Sequence, residues 1–419
     1  MGSPLTAVLI GAGARGFGGY APYALHYPHE LEIVAIAEAD PVRLAKAAEA
    51  HGISDDRCYA SWDQLLAEDQ LADIAIICTQ DRMHYEPTIG ALNKKYHVLL
   101  EKPMSPSPRE CVEMELAAKA NNRLLTICHV MRYTPFWSRI KSLITENRIG
   151  DVVSIQLNEN VGYWHIAHSF VRGNWNNSDT SSPMILAKSC HDMDMLSWLM
   201  DEPCMRVSSF GSLMHFNERN APEGSTARCL DCPVETTCAY SAQKFYFDPE
   251  FRGWARHFTP DLARENIIKG LRETDYGRCV YRSDNNVVDH QVVNMEFASG
   301  ATAMFSMCGF TFEQERRIQI MGTRGELRAE GDVITVYDFL THQKTEITIP
   351  VQASGHGGGD SGIVRSFLQE VRGYNGQEGL TSASASVRSH LMAFAAEESR
   401  LNGGKPIELN TYAKQLLTV

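Results

Sequence analysis

Gly11, Gly13 and Gly16 stand at the spacing G-x-G-x-x-G in the run Leu9-Ile10-Gly11-Ala12-Gly13-Ala14-Arg15-Gly16. That spacing suits a turn that holds a dinucleotide. Gly11 permits the tight turn out of a strand. Gly13 has no Cβ, so the backbone can approach a pyrophosphate, and Gly16 lets the next helix pack on the strand. The helix N-terminus, with Ala14 and Arg15 on its approach, offers free N–H groups and partial positive charge to the phosphates. Glu38 lies 22 residues past Gly16, close to the spacing of an acid that grips a ribose 2′-hydroxyl. An acid there repels a 2′-phosphate, so NAD is the expected cofactor; Arg43 nearby keeps NADP as the second choice. A bare glycine turn would show the same three residues, but it would lack the flanking strand, helix and acid.

A second constellation is Cys229, Cys232 and Cys238, spaced C-x2-C-x5-C, with Cys279 following 41 residues later. Four thiolates at such spacing suit a tetrahedral structural zinc, with an iron–sulfur cluster second. Unligated thiols or a redox pair are the bland alternatives. The surrounding 217–261 stretch has weak periodicity and many charges, so a metal staple would help it fold. A third dense patch holds Tyr163, Trp164, His165, His168, Arg172 and Trp175. Aromatic faces over sugar C–H surfaces, with polar tips on hydroxyls, would explain it; a packed interdomain loop is the alternative. Arg132 is placed to reach the same crevice from the end of a strand.

The elements that must position these groups alternate. Apolar runs at 5–10, 31–37, 72–78, 96–100 and 124–128 read as buried strands. Helical spacing over 41–51, 84–94 and 107–121 separates them, with Asp40-Pro41 and Ser107-Pro108 as start signals. This alternation predicts an α/β, doubly wound parallel sheet. Ligands lie beyond the carboxyl ends of such strands, so Gly11 to Gly16, Glu38, Thr79 and Lys102 should meet in one crevice. Farther along, 136–147 and 182–200 read as helices, and 287–297, 301–308, 316–321, 326–329, 333–337 and 345–349 as short strands. Strands without intervening helices suggest an antiparallel sheet. Helices return at 363–374 and 382–401, after a Gly355-to-Gly359 loop. The expected domains are 1–130 and 131–419, with the cysteine-rich insertion at about 217–280.

With 419 residues the chain is too long for one typical core. Its 44% hydrophobic and 21% charged content is that of an ordinary soluble globular protein. The net charge of −12 argues against a nucleic-acid partner. No apolar stretch approaches the roughly 18 residues of a membrane span, and the apolar N-terminal run lacks the basic flank of a signal peptide. The expected setting is cytoplasmic, where the eleven cysteines would be thiols or metal ligands.

The glycine turn, the Glu101-Lys102-Pro103 tripeptide after a strand, the helical His191 and the β-rich second half together resemble the Gfo/Idh/MocA oxidoreductases. The resemblance covers nearly the whole chain. It implies a Rossmann domain followed by an α+β domain with a large, open, mostly antiparallel sheet, often used to form a homo-oligomer, here a dimer or tetramer. It implies NAD(P)-dependent oxidation or reduction of a secondary hydroxyl on a small-molecule carbohydrate or cyclitol. Cofactor contacts then fall on the glycine turn, Glu38, Thr79, His84, Glu101 and Lys102. The family's site joins that lysine to an Asp-x-x-x-His on a helix. Here the histidine is His191, but the acid's position holds Ala187, with Lys188 next to it.

Hydride transfer from a carbinol needs a base for the hydroxyl proton, which suits His191, and a group to stabilise negative charge on oxygen, which suits Lys102. With the acid missing, Lys188 becomes a third candidate catalytic group and Asp192 a candidate substrate contact. An alternative reaction is NAD-dependent glycoside cleavage by transient C3 oxidation and elimination, which needs a further base; Lys188 or a residue of 163–172 could serve.

Overall fold

The computed structural model describes residues 2–350, 352 and 355–417. Six strands, β1 (Leu5–Ile10), β2 (Leu31–Ala37), β3 (Cys58–Tyr59), β4 (Ile74–Ile77), β5 (His97–Leu100) and β6 (Leu125–Ile127), form a parallel sheet in the order β3-β2-β1-β4-β5-β6. Their apolar runs are buried because helices cover both faces. The order reverses between β1 and β4, which opens a crevice at the carboxyl ends of the strands. Two start signals act as expected. Asp40 accepts from the main-chain N–H of Val42 and Arg43 at the head of helix Pro41–His51, and Ser107 accepts from Glu110 N–H at the head of Pro108–Asn121.

The helix expected straight after the glycine turn is not regular. Gly16–Tyr20 widens into a π turn, and only Pro22–His26 follows as a short helix. Gly16, Gly18 and Gly19 are poor helix formers, and Pro22 cannot donate to the preceding turn.

The second sheet has nine strands: β7 (Val152–Asn160), β8 (Cys204–Ser212), β9 (His290–Phe297), β10 (Thr302–Cys308), β11 (Glu315–Gly322), β12 (Gly325–Glu330), β13 (Val333–Asp338), β14 (Lys344–Thr348) and β15 (Ile407–Glu408). Their order is β14-β13-β12-β11-β7-β10-β9-β8-β15, antiparallel throughout except for the parallel pair β7–β10. β8, rich in serine, gives no clear apolar signal in the sequence. In β7, Ile155, Leu157 and Glu159 point inward while Gln156 and Asn158 point to solvent. The inward face is covered by helices Cys190–Met200 and Ala383–Leu401. The other face is open, and Phe210, Val292 and Met304 stand exposed on it.

Two departures shape the site. The 182–200 helix breaks into Met184–Ala187 and Cys190–Met200, with Lys188 and Ser189 at the break. Helix Gly359–Arg372, late in the chain, returns to the first sheet. Its Ile363, Val364 and Phe367 pack with Leu9, Ile33 and Ile76. Among the described residues no helix is long and apolar enough to cross a membrane.

Candidate active site

The glycine turn has the shape of a cradle. Gly11 has φ +91°, and a Cβ on it would come within 2.6 Å of the Cys78 carbonyl oxygen. A Cβ on Gly16 would come within 2.0 Å of the Gly11 carbonyl oxygen. Gly13, by contrast, faces open space, with nothing nearer to a built Cβ than the Arg43 guanidinium at 3.9 Å, and Ala14 beside it is exposed. Glu38 is buried at the end of β2; it accepts from Ala12 N–H at 2.7 Å and from Asp40 N–H at 3.0 Å. Arg43 lies 3.6 Å from the same carboxylate at the rim. The residues present therefore fit a dinucleotide: an open main-chain turn, with an acid fixed beside it.

Two expected cofactor contacts are placed otherwise. Arg15 turns away from the open side of the turn. It donates to Glu101 at 2.7 Å, to Asp360 at 2.8 and 3.1 Å, and to the Tyr20 hydroxyl at 2.6 Å. His84 is fully buried, with its ring nitrogens 2.7 Å from the Pro103 carbonyl and 3.1 Å from the Thr79 carbonyl. It clasps the Lys102–Pro103 turn to the end of β4, which makes it a positioning residue. Thr79 itself donates to the Met83 carbonyl. Glu101 also accepts from the Tyr20 hydroxyl at 2.9 Å. Burial alone would raise its carboxyl, but Arg15 and Lys102 hold it below the usual range.

Lys102 Nζ donates to the Ala187 carbonyl at 2.8 Å. That carbonyl lies just before the helix break, one helical turn ahead of His191. At the position where the resemblance implied an acid, a main-chain oxygen accepts from Lys102. His191 is buried, 6.0 Å between ring centroids from His129 and 6.1 Å from His356. Burial, together with Lys102, Arg316, His129 and His356, pushes its imidazole well below the ordinary range, so it is held neutral.

Beneath His191 lies a buried quartet of charges. Lys188 Nζ is 3.1 Å from Glu159, Arg316 is 2.8 Å from Glu159, and Arg316 donates to Asp192 at 2.7 and 3.1 Å. Burial pushes Asp192 up against the opposing pull of Arg316, and burial lowers Lys188 against the pull of Glu159. Asp192 is fully buried in this pairing, so it supports the site and does not contact substrate.

Most of the other expected substrate contacts are also corrected. Arg132 is buried in a two-pronged pair with Asp194 at 2.8 and 2.6 Å, and donates to the Leu380 carbonyl. Arg172 is buried on the carbonyls of Arg278 and Tyr240. His168 meets the Tyr246 hydroxyl at 2.6 Å, and burial, His257 and Arg172 push it down to about 2. His165 packs against Trp164 and Trp254, and Trp175 donates to Asp81. The dense 163–175 patch is largely packing against the insertion. Tyr163 and Trp164, with Arg172 in the wall, line an open cleft of about 480 Å³ together with Lys244, Phe245 and Phe312.

The expected four-thiolate metal centre finds no support in the structure. Cys229, Cys232, Cys238 and Cys279 line one small apolar cavity. Yet among the described residues no three His, Cys, Asp or Glu side chains are gathered to hold a metal ion. Cys229 Sγ instead accepts from Arg172 at 3.5 Å. The insertion folds around an aromatic core of its own, with Tyr246, Ile267 and Leu271 buried against Phe245, Trp254 and Phe258. Charge density in the sequence hid that core.

Glu159, Arg316, His129 and Asp360 were not foreseen, though Glu159 had a signal as an acid at an inward position of an alternating strand; His356 falls in the Gly355-to-Gly359 loop that the sequence marks.

Comparison with known proteins agrees with this geometry. Residues 5–129 match the NAD-binding Rossmann fold of the Gfo/Idh/MocA oxidoreductase family, and residues 141–409 match its C-terminal alpha/beta domain. The chain is 24% identical over 384 residues to the oxidoreductase YteT of Bacillus subtilis, spanning 84% of this chain and 86% of that one. It is 27% identical over 152 residues to the D-glucoside 3-dehydrogenase of Escherichia coli, spanning 36% and 42%. Among solved structures, levoglucosan dehydrogenase in complex with NADH and L-sorbose has a TM-score of 0.73 at 18% identity, over 97% of this chain and 99% of that one. With both halves matched in order, this chain belongs to the Gfo/Idh/MocA family of NAD-binding oxidoreductases.

Proposed function

We propose that this enzyme moves a hydride between NAD and a secondary hydroxyl of a sugar, glycoside or cyclitol. The main chain of Gly11 to Gly16 and the Glu38 carboxylate are the groups that would hold the cofactor, which supplies the hydride acceptor when bound. Lys102, aimed by the Ala187 carbonyl, hydrogen-bonds the reacting oxygen and stabilises its developing negative charge. His191, held neutral, accepts the hydroxyl proton. Lys188, Glu159, Arg316 and Asp192 hold the broken helix so that both groups face one space. The observation that carries this reading is the 2.8 Å bond from Lys102 to Ala187, which brings the strand-end lysine to the start of the His191 helix. A carbohydrate substrate is supported by the names of the D-glucoside 3-dehydrogenase and levoglucosan dehydrogenase relatives.

A second reading, NAD-recycling glycoside cleavage, is favoured by Lys188. Burial lowers its ammonium against the pull of Glu159, 3.1 Å away, so it can take the C2 proton only when that pair opens. One experiment separates the two. The enzyme is offered free sugars and aryl glycosides with NAD. NADH formed in step with product supports the dehydrogenase, while aglycone released without net NADH supports the second reading. Lys102→Ala should lower turnover by about 1000-fold while leaving NAD titration unchanged. Full activity in that variant would remove Lys102 from the reaction.

We also propose a homo-oligomer joined through the open sheet face. A cytosolic setting is supported by eleven cysteines that are all free thiols.

A further inference from the structure

We propose that His356 and Asp360 form a proton-relay pair that carries the substrate proton from His191 out to solvent. This rests on the reading of Lys102 and His191 as the reacting pair.

His191 is a poor place for a proton to stay. It is 7% exposed, and Lys102, Arg316 and His129 all oppose a positive charge on it. A proton accepted there must move on before the next turnover. His356 stands on its solvent side, 6.1 Å away between ring centroids, with its side chain 43% exposed. One water molecule or a substrate hydroxyl spans that separation.

The geometry around His356 is that of an oriented base. Its Nδ1 lies 2.9 Å from Asp360 Oδ1. The carboxylate at 2.9 Å favours the ring hydrogen on Nδ1 over the longer 3.4 Å approach of Arg15 Nη1 to the same nitrogen, and leaves the Nε2 lone pair free. Asp360 is itself fixed by two hydrogen bonds from Arg15. Burial alone would raise the Asp360 carboxyl, but hydrogen bonds from His356 and Arg15 hold it down at about 2, so it stays ionised and does not take the proton itself.

The backbone supports the same conclusion. His356 sits at φ 49°, ψ 41°, in the left-handed region that non-glycine residues rarely occupy. Gly357 and Gly358 follow with positive φ, and helix Gly359–Arg372 begins at once. That helix is anchored in the core of the first sheet through Ile363 and Phe367. A costly conformation held by a rigid anchor is a reason to look for function at the side chain it aims.

The step balances as follows. The substrate C–H bond breaks, and its electron pair leaves as hydride to NAD+, giving NADH. The O–H proton passes to the neutral ring of His191 and then to Nε2 of His356. Water takes it from there, leaving carbonyl product, NADH and one proton. In the reverse direction the same groups deliver a proton inward. The charged and titratable groups facing His356 are Asp360 on the following helix, Arg15 from the glycine turn with Glu101 behind it, and His191. His191 in turn faces Lys102, Arg316 and His129.

The test compares full-length His356→Ala and His356→Gln with the parent enzyme. Unchanged NAD titration shows that each variant is folded. The expected result is a loss of about 100-fold in kcat for oxidation, with the fall in kcat at low pH altered. Added imidazole should restore at least tenfold of the loss in His356→Ala, which a structural role would not permit. A kcat within about threefold of the parent from pH 5 to 9 overturns the relay, as does failure of imidazole to rescue. Weakened NAD binding with unchanged kcat and pH profile also overturns it, and assigns His356 to the cofactor seat. These failures differ from failure of the underlying reading, in which the parent enzyme itself reduces no NAD with any sugar or glycoside.

Discussion

At the scale of residues, the candidate site is built from charges that neutralise one another in place. Ala187, four residues before His191, has no carboxylate to offer, and its main-chain oxygen takes the lysine hydrogen bond. Carboxylate charge enters from Glu159 on β7 and from Asp360, each answered by an arginine. Asp360 allows a signed prediction. Its folded value of about 2 lies below the ordinary 3.8, so the ionised form stabilises the fold. That stabilisation is fully present above about pH 4 and is lost as pH falls through about 2. Asp360→Asn lacks it. Urea midpoints should therefore show a gap between variant and parent of roughly 2 kcal/mol above pH 4, closing towards pH 2. A gap of constant size across that range would show that ionisation of Asp360 contributes nothing.

Among the elements, the glycine turn and the broken helix carry the site. The turn predicts opposite outcomes for two of its glycines. A side chain at Gly13 enters open space where a pyrophosphate would lie, so Gly13→Val should raise the Kd for NAD at least tenfold with Tm nearly unchanged. A side chain at Gly16 strikes the Gly11 carbonyl, so Gly16→Ala should cost about 1–3 kcal/mol of stability as well. Calorimetry and NAD titration on the two proteins check this. Equal melting temperatures for both would contradict the packing described here. The break at Lys188 and Ser189 has its own logic. It turns the Ala187 carbonyl towards Lys102 and lets Lys188 reach Glu159, which an unbroken helix would not allow together.

On the scale of the whole molecule, two features stand out. Helix Gly359–Arg372 belongs late in the chain yet packs in the core of the first sheet, so the glycine turn and the second half are held together through Asp360 and Arg15. The nine-stranded sheet meanwhile leaves one face open, with Phe210 paired across to Val292 and Met304 on the same side. Exposed apolar side chains grouped on one sheet face favour self-association. Sedimentation should show a dimer or tetramer, and the combined Phe210→Asp, Val292→Lys and Met304→Glu variant should sediment as a monomer. A monomeric parent would dismiss the interface.

Features that depend on neighbours in the chain were legible in the sequence. Continuous apolar runs marked the parallel strands, alternation marked the second sheet, and the glycine spacing and the Glu101-Lys102-Pro103 turn marked the crevice. These signals are local because backbone geometry repeats over a few residues. The partners of polar side chains were not legible. Arg132, Arg172 and Asp192 read as substrate contacts because their chemistry suits that role, until the fold brought Asp194, the Arg278 carbonyl and Arg316 against them. Arg15 meets Asp360 across 345 residues, a pairing no spacing rule anticipates. The cysteines show the same limit, since spacing can place four thiols in one region while convergence on a metal depends on how the chain around them packs. A buried charge takes its role from whatever the tertiary fold sets opposite it, because burial is tolerated only where a partner offsets the lost hydration.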